Sequence, residues 1–233
     1  MSIDLDTVNW ALPTTVGLSA AGEAWLRGPR DRVRVTGPDA LSYLHSQCSQ
    51  RLDDLDVGER RWSLLLSPAG EVVAVIGVHR VADNEVEIDA DVGAGRAVME
   101  RLQRFLLRTA AEIERVESDV QPAGDLDGLR IAGGWPRHGA EIRESGTLAA
   151  ELGLNELAVS FTKGCYPGQE LVERMDSRGA QAPWRLVVVE YVAAAGDAIV
   201  HNGAEVGVIT SSSATASLAR LRRSVIADSS PSV

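Results

Sequence analysis

Three short segments with turns between them, an apolar one over 62–66 and two more over 71–80 and 85–90, most constrain what this chain can build. Each has the length of a strand. The breaks are Ser67-Pro68-Ala69-Gly70 and Ala82-Asp83-Asn84, and such punctuation folds consecutive strands back on one another. Upstream, a strand over 32–35 closes at Gly37-Pro38. Asp39 then stands where a helix N-cap belongs, ahead of Ala40, Leu41, Leu44 and Cys48 at helical spacing. A long amphipathic helix is expected over 92–109, with Val98, Leu102, Phe105 and Leu106 on one stripe and arginines opposite. A strand follows at 112–116. Residues 1–31 read as a loosely structured lead-in.

The second half changes character. A Gly-rich, turn-rich stretch covers 125–140, and 147–154 is a short helix candidate. Strands are expected over 186–192, 198–200 and 205–211, the last two flanking His201-Asn202-Gly203, an Asn-Gly hairpin signal. A final strand over 218–226 interleaves Ala219, Leu221 and Val225 with Arg220, Arg222 and Arg223, and the polar tail 227–233 reads as disordered. The fold class is α+β, antiparallel hairpins with covering helices. Three regions are expected: an N-terminal α+β lobe over 1–120, a middle lobe over 121–183, and a small β-barrel over 184–233.

Bulk properties exclude several functions. A net charge of −10 is the wrong sign for a general nucleic-acid binder. No apolar run approaches the ~20 residues that span a bilayer, and the acidic opening MSIDLDTVNW lacks the pattern of a signal peptide. Two cysteines, Cys48 and Cys165, fit no Cys-x-x-Cys or zinc spacing. A reducing cytoplasm accounts for them, with a disulfide between them as the alternative. His45 and Cys48 form a His-x-x-Cys pair, but two further ligands are missing, so no metal site is expected. The chain has 22 arginines and one lysine, Lys163.

That lysine lies in the segment where chemistry concentrates, Phe161-Thr162-Lys163-Gly164-Cys165-Tyr166-Pro167-Gly168-Gln169-Glu170. Gly164 and Gly168 bracket the cysteine and permit sharp turning. Pro167 fixes φ. An ammonium two residues before a thiol lowers its pKa from ~8.5. A helix starting at Gln169 would add a partial positive charge. The same residues also read more plainly: Cys165 as a small buried apolar group, Tyr166 as a core anchor, Lys163 as a surface charge.

The run KGCYPGQELVERMDSRG resembles the signature of the YgfZ family, Lys-Gly-Cys-Tyr/Phe-x-Gly-Gln-Glu followed by an arginine. Lys163, Gly164, Cys165, Tyr166, Gly168, Gln169, Glu170 and Arg174 fill it. Weaker resemblance runs through VRVTGPDALSYLHSQCSQ, LSPAGEVVAVIGVHRV, LRIAGGWPRHGAEI and GVITSSSATASLARLRR. The resemblance implies the fold of the glycine-cleavage T-protein: α/β lobes around a central folate cavity with a C-terminal β-barrel. It implies a tetrahydrofolate-type cofactor and a cytoplasmic accessory role in assembling or repairing iron–sulfur client proteins, and through them in tRNA modification. Neither a membrane nor direct nucleic-acid contact is implied. Cys165 becomes the functional thiol with Lys163 beside it. The cofactor neighbours become Arg130, Trp135, Gly164, Tyr166, Gly168, Gln169, Glu170 and Arg174. Arg130 reads either as a folate contact or as a cap of the local sheet, and Trp135 either as a ring-stacking partner or as a hydrophobic plug. Arg174 and Arg178 read as partners of glutamyl carboxylates or as helix-surface charges.

Two departures from the resemblance matter. T-protein enzymes carry an acidic residue in the central hairpin where this chain, by ungapped pairing, has Val75; residues 72–78 are all apolar or glycine. Without an acid or base there, aminomethyl transfer lacks its proton handling, which disfavours a folate-dependent one-carbon transferase. The middle element reads Arg130-Ile131-Ala132 where the family has Arg-Ile-Glu. Losing a carboxylate that pairs with a buried ring costs on the order of 1–3 kcal/mol. A third reading therefore stays open, an interaction module of the same fold that binds no folate.

Overall fold

The computed structural model describes residues 1–116, 124–177 and 182–229. Its first residues are ordered, unlike the loose lead-in expected. Strands β1 (Ser2–Asp4) and β2 (Trp10–Ala11) precede helix α1 (Thr15–Trp25). Both strands join the C-terminal half of the chain, Ile3 opposite Ile199 and Trp10 opposite Val189. Ile3 and Leu5 are buried, and the amino terminus pairs with Asp197 at 2.7 Å. Strands of two and three residues carry no readable period; distant pairing creates them. Helix α1 has a local cause as well, because the Thr14 hydroxyl accepts from the Gly17 amide at 3.1 Å.

Five strands form one antiparallel sheet in the order β4-β5-β6-β3-β7. They are β3 (Arg30–Thr36), β4 (Arg60–Leu66), β5 (Val72–Ala82), β6 (Glu85–Asp91) and β7 (Glu112–Val116). Helices α2 (Ala40–Gln47) and α3 (Gly95–Gln103) share a core with this sheet through Leu44, Val98 and Leu102 against Val33, Ile76 and Ile88. Side chains alternate along a strand. Ala74, Ile76 and Val78 enter that core, whereas Val75 and its partner Leu64 enter a second core with Leu18, Trp62, Trp135 and Tyr166. The 72–78 run is continuously apolar because both faces of β5 are buried.

Two local expectations fail here. Helix α3 stops at Gln103, well short of 109, and Arg108 takes a positive φ of 56°. Its start is set by the Asp31 carboxylate, which accepts from the Gly93 and Gly95 amides at 2.9 Å. Arg101 leaves the solvent face and is buried, donating to the carbonyl of Leu66 at 2.7 Å and to Gln47 at 3.1 Å. Asp39 makes no side-chain cap on α2; its carboxylate accepts from the Ala110 amide at 2.8 Å instead.

The turn-rich stretch holds a helix, α4 (Leu126–Gly133), capped by Asp125 and closed by Gly134 at φ +79°. Gly128 and Gly133 masked it, since glycine in a helix interior lowers the local propensity. Helices α5 (Ala149–Leu152), α6 (Asn155–Ala158) and α7 (Gln169–Ser177) follow. The last strands are β8 (Trp184–Val189), β9 (Ala198–His201), β10 (Ala204–Ser212) and β11 (Ser217–Arg222). With β1 and β2 they make a six-stranded sheet in the order β1-β9-β10-β11-β8-β2, so this sheet draws on both ends of the chain. Asn202 and Gly203 turn the β9–β10 hairpin at φ +52° and +76°, the positive angles that an Asn-Gly turn supplies. The expected strand over 218–226 ends at Arg222, and α8 (Arg223–Ser229) replaces its second half and the first residues of the tail. Val225 and Ile226 pack that helix on the sheet. Arg178 and the tail beyond 229 lie outside the described residues. Among the described residues no helix is long and apolar enough to cross a membrane.

Candidate functional site

Cys165 sits on the loop before α7 and is exposed. It lines a hollow of about 690 Å³ together with Tyr166, Gly168, Gln169, Glu170 and Arg174, and with Pro68 and Ala69 of the β4–β5 turn. The two turns interlock through glycines. Gly168 has φ +87°, and a Cβ there would lie 2.7 Å from the Ser67 carbonyl oxygen. Gly70 has φ +85°, and its Cβ would lie 2.6 Å from that of Leu171. Both positions thus demand glycine on conformation and on space. Gly164 is different: a Cβ there meets nothing within 4 Å, and it is not among the positive-φ residues.

Lys163 does not project toward the Cys165 thiol. It is buried, and its Nζ donates to the carbonyl oxygens of His45 and, at 2.5 Å, of Cys48. These lie at the C-terminal end of α2, where carbonyls lack helical partners and the dipole favours a cation. The ammonium also lies 5.0 Å from the Tyr166 ring centroid. Burial lowers its pKa from the ordinary 10.5 to about 8. Lys163 therefore pins the signature loop to α2, and the cysteine nearest its charge is Cys48. That thiol is fully buried and free, and burial pushes its pKa up to about 12. No disulfide joins the two cysteines. His45 uses Nδ1 to accept from the amides of Leu52 and Asp53 at 3.1 and 3.2 Å. Burial and the Lys163 charge depress its pKa.

The remaining signature residues divide between structure and surface. Tyr166 is an anchor in the second core, its hydroxyl pushed up to about 12 by burial. Gln169 opens α7: its Oε1 accepts from the Tyr166 amide at 3.3 Å and its Nε2 donates to Glu173. Glu170 and Arg174 pair at 2.8 Å on the exposed face of α7, beside the hollow.

Arg130 and Trp135 do not line that hollow. Trp135 is 1% exposed and packs on Trp62 with ring centroids 4.4 Å apart. Arg130 is fully buried; its Nη1 donates to the Trp135 carbonyl at 2.9 Å and to Glu141 at 3.0 Å. Trp135 is packed as the hydrophobic alternative has it, and Arg130, on α4, braces Trp135 and Glu141 rather than capping a sheet. Ala132 is exposed on α4.

Buried carboxylates at Asp31, Asp89, Asp91, Glu141 and Glu151 went unassigned in the sequence, and Glu141 and Asp91 among them gather several donors. Glu141 receives four donors: Arg130 and the Arg137 amide on Oε2, Thr210 and Ser211 on Oε1 at 2.7 and 2.5 Å. It ties α4 to β10. Asp91 receives Trp25 and the His138 amide, each at 2.7 Å, and Arg30. The available signal was position alone: Glu141 follows Gly139-Ala140 and precedes the buried Ile142, and Asp91 closes a strand in which acidic and apolar residues alternate.

No family model matches the sequence, and no curated protein matches it. Among solved structures, the crystal structure of glycine cleavage system aminomethyltransferase T from Bartonella henselae superposes with a TM-score of 0.71. It covers 93% of this chain and 87% of its own, at 13% sequence identity. At that identity the similarity speaks for the fold, and this chain has the fold of aminomethyltransferase T.

Proposed function

We propose that this chain is a folate-linked accessory protein of the YgfZ type, acting through Cys165 in the upkeep of iron–sulfur enzymes, rather than an aminomethyltransferase. The observation that carries the reading is the exposed thiol of Cys165 on a loop held at three nearby residues. Lys163 holds the loop to α2, Tyr166 anchors it in the core, and Gly168 locks it against Gly70. A thiol so placed meets a partner or ligand without reorganising its support. Against transferase chemistry stands Val75, buried among apolar side chains where a proton-handling carboxylate would be needed. A tetrahydrofolate titration followed by tryptophan fluorescence tests the folate link. Saturable binding without turnover of an aminomethyl-lipoyl carrier is expected, and turnover would overturn the reading.

One alternative has its own support. Arg130 and Trp135, the two residues outside the loop named as folate neighbours, are consumed in packing, which favours an interaction module of this fold without folate. Absence of tetrahydrofolate binding at ligand concentrations of roughly 1 mM, a free energy near −4 kcal/mol, would select it.

A further inference from the structure

A second cavity, of about 370 Å³, lies where the middle segment meets the C-terminal sheet, and shares no lining residue with the Cys165 hollow. Its wall carries two guanidiniums and two carboxylates, Arg143 and Arg220 against Glu141 and Glu151. All four are paired within the protein. Glu151, 4% exposed, accepts from Arg220 through Nε at 3.0 Å and Nη2 at 3.4 Å, and pairs with Arg143 at 3.6 Å. Glu141 has four donors, among them Arg130, which also meets Asp127 at 3.1 Å. Glu71 adds a further negative charge acting on Arg143. The wall is therefore neutral, and it holds no uncompensated charge to offset the desolvation of an ion.

What the polar part of the wall still offers is donors. Nη1 of Arg143 and of Arg220 donates to no protein acceptor among the described residues. The acceptors, by contrast, are occupied: both carboxylates are filled, and the Thr210 hydroxyl turns its proton to Glu141 or to the Leu218 carbonyl. The guanidiniums are also held in place. Arg220 lies over the Trp184 ring, 4.4 Å from its centroid. Arg143 is fixed through the Gly146 carbonyl at 2.6 Å and the Thr147 hydroxyl at 3.3 Å. Leu152, Leu186 and Ile209 give the cavity its apolar side. An apolar lining with a few fixed polar groups suits a small organic ligand. We propose that this cavity binds a small neutral carbonyl compound with an apolar body, such as a ketone, an ester or a tertiary amide. Its oxygen accepts from Arg143 and Arg220, and its hydrocarbon lies against Leu152, Leu186 and Ile209. A carboxylate would add a negative charge beside Glu151 without a free cation to meet it. An ammonium would have to displace a guanidinium from an acid already filled.

The test titrates the intact protein with 2-heptanone, followed by saturation-transfer NMR of the ligand, with hexanoate and hexylamine as charged probes of similar length. Saturable binding of 2-heptanone is expected, tighter than either charged probe by about tenfold or more. Two variants narrow the cavity from different segments. Ala195 is an exposed lining residue, so Ala195→Trp fills space with little risk to folding, and Ala140→Leu does so from the middle segment. Each should weaken 2-heptanone by about tenfold while the thermal midpoint stays in place, and a loss in either one supports the site. The proposal is overturned if 2-heptanone fails to bind at about 10 mM, a free energy near −3 kcal/mol, if hexanoate or hexylamine binds as tightly, or if both variants bind 2-heptanone as well as the unaltered protein.

Discussion

The Nζ of Lys163 and the carbonyl oxygen of Cys48 lie 2.5 Å apart, so the only lysine of the chain closes helix α2 from a loop 115 residues further on. This contact joins the loop that presents Cys165 to the first core. Because the lysine is unique, its titration is observable in isolation. A protein labelled at lysine ε-carbon should show one resonance, moving with a midpoint of about 8 where an exposed lysine has 10.5. The sign follows: between about 8 and 10.5 the unfolded chain binds this proton and the folded chain does not, so the Lys163 contribution to stability rises with pH across that window. A midpoint near the ordinary value would show the ammonium to be solvated.

The cysteines should react in order of exposure. Cys165 is exposed and Cys48 fully buried. Native protein should take up one equivalent of iodoacetamide, mapped to Cys165 by peptide mass, and a second only on unfolding. Labelling of Cys48 in the native state would contradict the burial of α2's end.

Gly168→Ala and Gly70→Ala should each destabilise the protein by about 1–3 kcal/mol, since each combines a positive φ with a steric conflict. The two turns touch, so the double variant should depart from additivity. Denaturant midpoints of the four proteins measure it. Gly164→Ala, with open space around it, should change stability little.

Trp135→Ala should cost about 3–5 kcal/mol as a buried aromatic truncation. Glu141→Gln should cost less, about 1–3 kcal/mol, because it removes one of the two carboxylates paired with buried Arg130 and leaves Asp127 in place. If Trp135 instead served an open ligand site, its removal would weaken folate binding and leave the thermal midpoint in place.

How much of this was legible in the sequence depends on the range of the cause. The β5 run was readable because burial on both faces leaves every position apolar, and the Asn202-Gly203 turn because positive φ selects its residues. The start of α7 at Gln169 followed from Pro167-Gly168 ahead of it. Strands β1 and β2 were invisible, because only pairing with β9 and β8 makes them strands. Helix α4 was hidden by its glycines, which serve close packing: a Cβ on Gly133 would lie 2.4 Å from that of Ala21 on α1. At the site, the exposed thiol lies in the segment that spacing singled out, but the partner of Lys163 was not readable. Nothing near Lys163 in sequence points to carbonyls of residues 45 and 48, and proximity to Cys165 suggested a different use of its charge.

The proposed function is tested most directly at Cys165. In cells from which this chain has been removed, the level of iron–sulfur-dependent thiolated tRNA bases, read by mass spectrometry of tRNA hydrolysates, should fall. The unaltered protein should restore it and Cys165→Ser, expressed to the same level, should not. Full restoration by Cys165→Ser would contradict the claim that the exposed thiol carries the function.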